Sequence, residues 1–559
     1  MSATTPHARR PRRPRPPSGA RRLPLAGVLR LGRPSDIWFK PALSVVVSVA
    51  PPNLLLLALG RLDLAMYTMA GSLCALYAHH RPYAARARVL AGVVLGMLAG
   101  LAVSLTAASL TTNPVLLVAV GALLAAVQKV LCDATRIGPP GHVVLCFISS
   151  ASLFVPQTPH EVPGHLALGA AAGVWAWIVG MAPGLFRPHG PERRATAHAL
   201  HAAAAYAGTG GVGAGSARAR AAAAAAVHGA WQSLLSTGAR SAPRRALERL
   251  VVRAEVAIAA PADTEPERLR DWARALRGTG PVPHPDDLGE AAGELLGVET
   301  ELALGQRPLS HRIGPLAPIA LRVALGCSLA GWASLALGVG RPYWALVTAA
   351  SLYQTNVTLT WSRGVQRVVG NLVGVLVFAA LVPLAHLGQA ALVLVCLALN
   401  FGAEALIGRN YWLGSVCVTP MALLITEFAH VQRPGELMTD RVVDTLVGAL
   451  VGFAAAVAVT NRRAGDRVAG ALDAVERADE RAVRVLRSGR PAPGALEAAR
   501  RELAGAVVEL RATADAAAGE WWQRALPEER LMRVERSGHR TLAATVRRQG
   551  PHSVEDVQA

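Results

Sequence analysis

The chain has 559 residues, a net charge of +20 and 52% apolar residues, with a mean hydropathy of +0.33. A soluble chain of this length would divide into roughly three or four domains of ordinary polarity. Here the apolar residues gather in two blocks, near 37–186 and 316–460, and the sequence between and after them is rich in Ala, Arg and Glu. That alternation argues against a soluble enzyme and predicts an all-α, polytopic membrane protein.

The first segment, 1–36, reads as a basic disordered arm on the cytoplasmic side. The first 40 residues hold nine arginines and Lys40 against one acid, Asp36. Anionic lipid head groups are the expected partner. Nucleic acid is not expected, because no aromatic residue precedes Trp38 to stack on a base. The basic stretch is too long for a cleaved leader, and the apolar run continues past VSVAPP into NLLLLALG.

A bilayer-spanning helix needs about 20 mostly apolar residues. Six such runs are read in the first half, 37–186: near 38–60, 62–78, 89–110, 113–132, 140–155 and 164–186. Six more are read in the second half, 316–460: near 316–338, 342–359, 366–385, 388–406, 409–428 and 441–460. With the arm inside, the predicted inner loops (HHRPYAARAR at 79–88, Lys129 to Arg136, 187–315, Thr360 to Arg367, Arg409 and the tail) are all basic. The outer ones (TTN, PQTPHEVP, HLGQ and the segment around HVQRPGEL) carry few cations. This is the positive-inside pattern, with both termini cytoplasmic and the protein in the cell membrane.

Glycines suggest an internal repeat. Gly92, Gly96 and Gly100 lie four apart, and Gly370 and Gly374 repeat that spacing about 278 residues later. Gly169 and Gly173 match Gly448 and Gly452, 279 later. Matched offsets imply a duplicated six-span unit, and six being even, the two copies are parallel. Each G-x-x-x-G offers a face without side chains for close helix packing. Residues 187–315 and 461–559 read as cytoplasmic helical regions, with Ser241 as an N-cap before Pro243.

Chemistry-bearing motifs are scarce. GTGGVG (208–213) follows an Ala-rich helix and not a strand, so it reads as a linker and not a dinucleotide site. HEVPGH (160–165) spaces its histidines five apart around Pro163 and reads as a loop. No phosphate-binding G-x-x-x-x-G-K-[ST] occurs. The cysteines, 74, 132, 146, 327, 396 and 417, form no C-x-x-C and read as small buried hydrophobes. No metal, cofactor or catalytic constellation is readable, so no enzyme is expected.

One polar stretch stands out. Gln354, Thr355, Asn356 and Thr358 fall in the inner half of the eighth predicted span, where unbonded amides would cost several kcal/mol. They face other helices or a wet path. Arg363 reads as a positive-inside anchor. Arg367, read as opening the ninth span, adds charge to a helix N-terminus, a setting that attracts anions. Arg88 and Arg441 read mainly as anchors. Glu404, with Asn400 one turn earlier, is the candidate proton site, while Asp444 is placed in the first turn of the last span and Glu427 near the outer face.

RPYWALVTAASLYQ (341–354), RVVGNLVG (367–374) and RVVDTLVGALVG (441–452) together resemble the fusaric acid resistance, or aromatic acid exporter, family. The resemblance is clearest over 316–460. It implies two six-span halves, each followed by a cytoplasmic helical region. It also implies export of aromatic or other weak organic acids, proton coupling and, in some members, a periplasmic adaptor. Asn371 stands where the family carries Thr. The expected function is therefore a secondary exporter of organic anions, with Gln354, Asn356, Thr358, Arg367 and Asn371 along the substrate path. A membrane scaffold or passive anion channel, whose cytoplasmic helices recruit partners, is the alternative. The bilayer and a small organic anion are the expected partners; homo-oligomerisation stays open.

Overall fold

The computed structural model describes residues 23, 25–32, 37–209, 216–236, 241–259, 261–283, 313–428, 432–459, 464–488, 494–518 and 528–549. The arm up to residue 22 and most of GTGGVG lie outside them. Among the described residues all regular structure is helical.

The first half comprises α1 (Phe39–Ala58), α2 (Ala65–Ser72, with 3₁₀ turns Leu62–Leu64 before it and Leu73–Leu76 after it), α3 (Tyr83–Leu110), α4 (Pro114–Thr135), α5 (Val143–Ser152) and α6 (Val162–Met181). A short turn, α7 (Pro183–Phe186), leads to the polar helices α8 (Gly190–Ala207), α9 (Ser216–Leu235), α10 (Ala242–Ala259) and α11 (Pro266–Arg277). The second half comprises α12 (Ala317–Ala336), α13 (Tyr343–Leu352), α14 (Val357–Ala385), α15 (Gln389–Ile407), α16 (Tyr411–Thr426) and α17 (Pro434–Ala458). Three polar helices follow, α18 (Ala464–Arg487), α19 (Ala495–Ala518) and α20 (Glu528–Gln549).

Eight helices are long and apolar enough to cross a membrane: α1, α3, α4, α6 (extended through α7), α12, α14, α15 and α17. The segments read as spans at 62–78, 140–155, 342–359 and 409–428 are shorter apolar helices. At 1.5 Å per residue the ten residues of α13 rise about 15 Å, half of a hydrocarbon core. All ten are buried, so α13 touches neighbouring helices on every side.

The two halves reuse the same contacts. α6 packs on α2 as α17 packs on α13, and α3 packs on α5 and α6 as α14 packs on α16 and α17. Across the halves, α1 lies against α15 and α12 against α4, the first helix of each half against the fourth of the other. Glycine makes these approaches possible. A Cβ on Gly448 would meet the Ala345 carbonyl and sit 2.8 Å from Thr348 Cβ, and one on Gly374 would sit 2.7 Å from Thr419 Cβ. One on Gly370 would fall 2.6 Å from Ser415 Cβ, and one on Gly452 3.1 Å from Ala349 Cα. A Cβ on Gly71 would meet the backbone of Gly169 and Gly173, and one on Gly173 would sit 2.7 Å from Val94 Cγ1. Gly92 and Gly96 do not share this role. They face outward with nothing near, and Gly100, one turn on, makes the contact with Ser149 and Gln128.

The polar helices form two apolar cores, one through Leu200, Trp231, Leu250 and Leu269, the other through Leu472, Leu503 and Val534. Ser241 caps α10 as expected, its Oγ accepting from the Arg244 N–H at 3.4 Å. The two bundles meet where Arg500 pairs with Glu255 at 2.9 Å and Arg501 lies over the Trp231 ring.

Candidate functional site

The polar stretch that interrupts the second half is the gap between α13 and α14. Tyr353 to Asn356 leave helical conformation, and Asn356 restarts it as an N-cap, its Oδ1 accepting from the Leu359 N–H at 2.8 Å. Asn356 is thereby committed to its own helix and not to a path. Thr358 is half-buried in the first turn of α14. Gln354 does face an open space. It lines a cavity of about 390 Å³ with Arg363, Gln366, Arg409, Asn410 and Tyr411. Arg363 stacks on the Tyr411 ring, its guanidinium carbon 3.9 Å from the centroid, so it is more than a surface anchor.

The segment 25–32 lies across the rim of this cavity. Val28 carbonyl accepts from Gln366 Nε2 (2.9 Å) and Asn410 Nδ2 (3.0 Å), Arg30 carbonyl from Asn410 Nδ2 (3.0 Å), and Leu29 carbonyl from Trp412 Nε1 (3.2 Å). The Gly32 N–H donates to the Arg409 carbonyl at 2.8 Å.

Arg367 lies deeper. α14 begins at Val357, nine residues earlier than read, so Arg367 is in the third turn of a continuous helix and not at an N-terminus. The expected start followed hydropathy, but arginine is a good helix former, and the helix runs straight through the charged turns. The anion argument from unsatisfied N–H groups therefore does not apply to Arg367. Its own charge does. It is 4% exposed, donates from Nη1 to Tyr411 Oη at 3.0 Å and leaves Nε without a partner.

One turn further, Asn371 is bonded on both ends. Its Nδ2 donates to Thr445 Oγ1 at 2.9 Å and its Oδ1 accepts from the Thr419 hydroxyl, tying α14 to α17 and α16. Trp361 meets Phe453 on the same pair of helices, ring centroids 5.2 Å apart. Together these contacts make α14 and α17 antiparallel. The segments RVVGNLVG and RVVDTLVG thus cross face to face at Asn371 and Thr445, and their leading arginines, 367 and 441, flank the crossing on opposite sides, on the order of 10 Å apart along the bundle.

Arg441 corrects the anchor reading. α17 starts at Pro434 and not near 441, which places Arg441 and Asp444 in its middle turns. Arg441 is 1% exposed, its guanidinium carbon 5.1 Å from the centroid of Trp344, with Nε and Nη1 unpartnered. Arg341 also lies near Trp344, 5.5 Å from the ring centroid, and is paired to Asp440 at 2.8 Å. The Trp344 indole N–H is buried and unpartnered too. Asp444 is fully buried, not in a first turn. Its Oδ1 accepts from Ser334 Oγ at 2.5 Å and its Oδ2 has no partner. The sequence reading missed Arg441, Asp444 and Trp344. The signal available was the local echo R-V-V-x-[NT]-L-V-G at 367 and 441, whose two copies meet in space.

Glu404 and Asn400 do not form a unit. Asn400 is buried and its amide donates to the Cys396 carbonyl of its own helix at 3.1 Å; Glu404 is half-buried near the end of α15. Glu427 accepts from His386 Nε2 at 3.0 Å. Among the described residues no group of three or more His, Cys, Asp and Glu could hold a metal ion.

A helical bundle with eight membrane-length apolar helices and buried, unneutralised arginines between them is a polytopic membrane protein. Residues 329–455 match the sequence model of the family described as Fusaric acid resistance protein-like, and these residues contain most of the site just described. This part of the chain is similar to the fusaric acid resistance-like family, and it sits within a membrane protein. The chain is also 26% identical, over 506 residues, to the Uncharacterized membrane protein YvaC of Bacillus subtilis (strain 168), across 83% of this chain and 78% of that protein. No solved structure matches.

Proposed function

We propose that the protein is a secondary transporter that exports aromatic or other weak organic anions across the cytoplasmic membrane and is not an enzyme. In this reading it has twelve helices in two parallel six-helix repeats, four of them short and enclosed by the rest, with both termini in the cytoplasm. The observation that carries the reading is the pair Arg367 and Arg441, buried between helices with no carboxylate partner. A charge at bilayer depth costs about 2.5–3.5 kcal/mol even on insertion scales, and it is retained where it serves an ion or substrate path.

The path runs from the cavity at Gln354, Arg363 and Arg409, past Arg367 and Tyr411, through the Asn371–Thr445 crossing, to Arg441, Trp344 and Arg341. Cations attract the carboxylate at each step, and the rings of Tyr411 and Trp344 hold the guanidinium groups of Arg363, Arg341 and Arg441 along it. The proton gradient supplies the energy. Its electrical part acts on the anion directly, since an interior-negative potential drives each negative charge outward by about 2.3 kcal/mol per 100 mV. Glu404 is the candidate for carrying a proton in addition. The fusaric acid resistance-like match supports transport as the class of activity.

The test is uptake of labelled aromatic carboxylates into inside-out vesicles with an imposed proton gradient. With the membrane potential clamped at zero, uphill uptake that an uncoupler abolishes and that Arg367→Gln and Arg441→Gln each reduce at least tenfold supports the exporter. Uptake that only equilibrates makes the protein a passive anion channel, and no uptake of any aromatic acid sinks the reading.

A further inference from the structure

Arg441 and Asp444 stand three residues apart on α17, the spacing at which opposite charges on a helix meet. Both are buried to within 1%. Leaving such a pair unjoined in a low-dielectric interior gives up the direct hydrogen bonds that would best offset the desolvation of both. Yet they form no ion pair. The Asp444 carboxylate is turned to α12, where Ser334 Oγ donates to Oδ1, and the guanidinium of Arg441 is turned to the Trp344 ring with two nitrogens unpartnered. Ser334 is itself fully buried and has this one side-chain bond to give.

We propose that Ser334 and Asp444 form a latch that sets how strongly Arg441 holds a passing carboxylate. With Asp444 bound to Ser334, Arg441 is open and a substrate carboxylate takes the place its helix neighbour would occupy. When Asp444 swings to Arg441, the site is filled from within and the anion is expelled. Asp444 is thus an internal competitor with the substrate, and Ser334 is a positioning residue that holds it aside. No covalent step and no proton transfer are involved. This inference rests on the transport reading above and names the residues that set affinity within it.

The probe is labelled benzoate, moved by the full-length protein in proteoliposomes under a potassium-valinomycin potential. Ser334→Ala frees Asp444 to pair with Arg441, and KM for benzoate rises about tenfold with little change in maximal rate. Asp444→Asn removes the competitor, and KM falls below that of the wild type. The double variant Ser334→Ala/Asp444→Asn returns to the low KM of Asp444→Asn, a rescue that a merely structural serine would not permit. An unchanged KM in Ser334→Ala, or a double variant as impaired as Ser334→Ala alone, overturns the latch while wild-type transport stands. A wild type that moves neither benzoate nor any other aromatic carboxylate overturns the transport reading and the latch with it.

Discussion

Arg367 was visible in the sequence because it stood beside a recognisable glycine pair; Arg441 was set aside as an anchor because hydropathy placed the start of its helix seven residues late. The difference lies in what a hydropathy window measures. It averages a charged turn into the loop before it, so a helix that begins with GELMTDR is read as starting where the charges end. Burial then exchanges the roles, and the arginine dismissed is the more enclosed of the two. Replacing the amide at the crossing tests whether this interior is held by its polar bonds. Asn371→Leu leaves Thr445 without its donor and Thr419 without its acceptor, and a loss of about 1–3 kcal/mol is expected in thermal unfolding in detergent. Asn371→Thr, short enough to reach one neighbour, loses less.

Among the elements, the glycine spacing is legible in the sequence, but the matched offset does not separate Gly370 and Gly374, which pack closely, from Gly92 and Gly96, which face outward. Gly448 and Gly374 abut neighbouring helices, so Gly448→Ala and Gly374→Ala should each lower stability by about 1–3 kcal/mol, because the facing atoms are backbone or Cβ and cannot turn aside. Gly92→Ala and Gly96→Ala meet open space and should leave stability unchanged or raise it by about 0.5–1 kcal/mol through helix propensity. The same melting experiment separates the two pairs. The short helices α2 and α13 escaped the sequence reading for a related reason. Their apolar runs continue into the 3₁₀ turn or the break that follows, and composition cannot distinguish a continuous helix from one that stops inside the bundle.

For the molecule as a whole, the two polar bundles pack through α10 on α20 and α9 on α19, and the buried Glu255–Arg500 pair lies in that contact. Breaking the buried Glu255–Arg500 pair with Glu255→Gln removes the carboxylate that Arg500 meets across the two bundles, and proteolysis between α17 and α18 should accelerate while the membrane helices stay protected. Acid should loosen the same region. Burial, with Arg220 nearby, pushes His539 in α20 down from 6.5 to about 4. The unfolded chain takes up a proton below pH 6.5 and the folded one does not until about 4, so stability present above 6.5 is lost across that window, on the order of 1–2 kcal/mol for a partly buried group. Melting His539→Gln at pH 7 and pH 5 checks the sign, since the variant should show a smaller acid loss than the wild type.

The face-to-face crossing of the two R-V-V segments gives the proposed path a local two-fold character. An anion arriving from either face meets the same order of groups: arginine, bonded amide or hydroxyl, arginine. In the proposed transporter the sense of net flux is imposed by the gradients across this pair of segments. Two positions differ between the segments: Asn371 against Thr445, which bond each other, and Gly370 on one helix against Asp444 on the other. In the proposed path the two mirrored segments therefore differ in charge by a single carboxylate, which only the second carries.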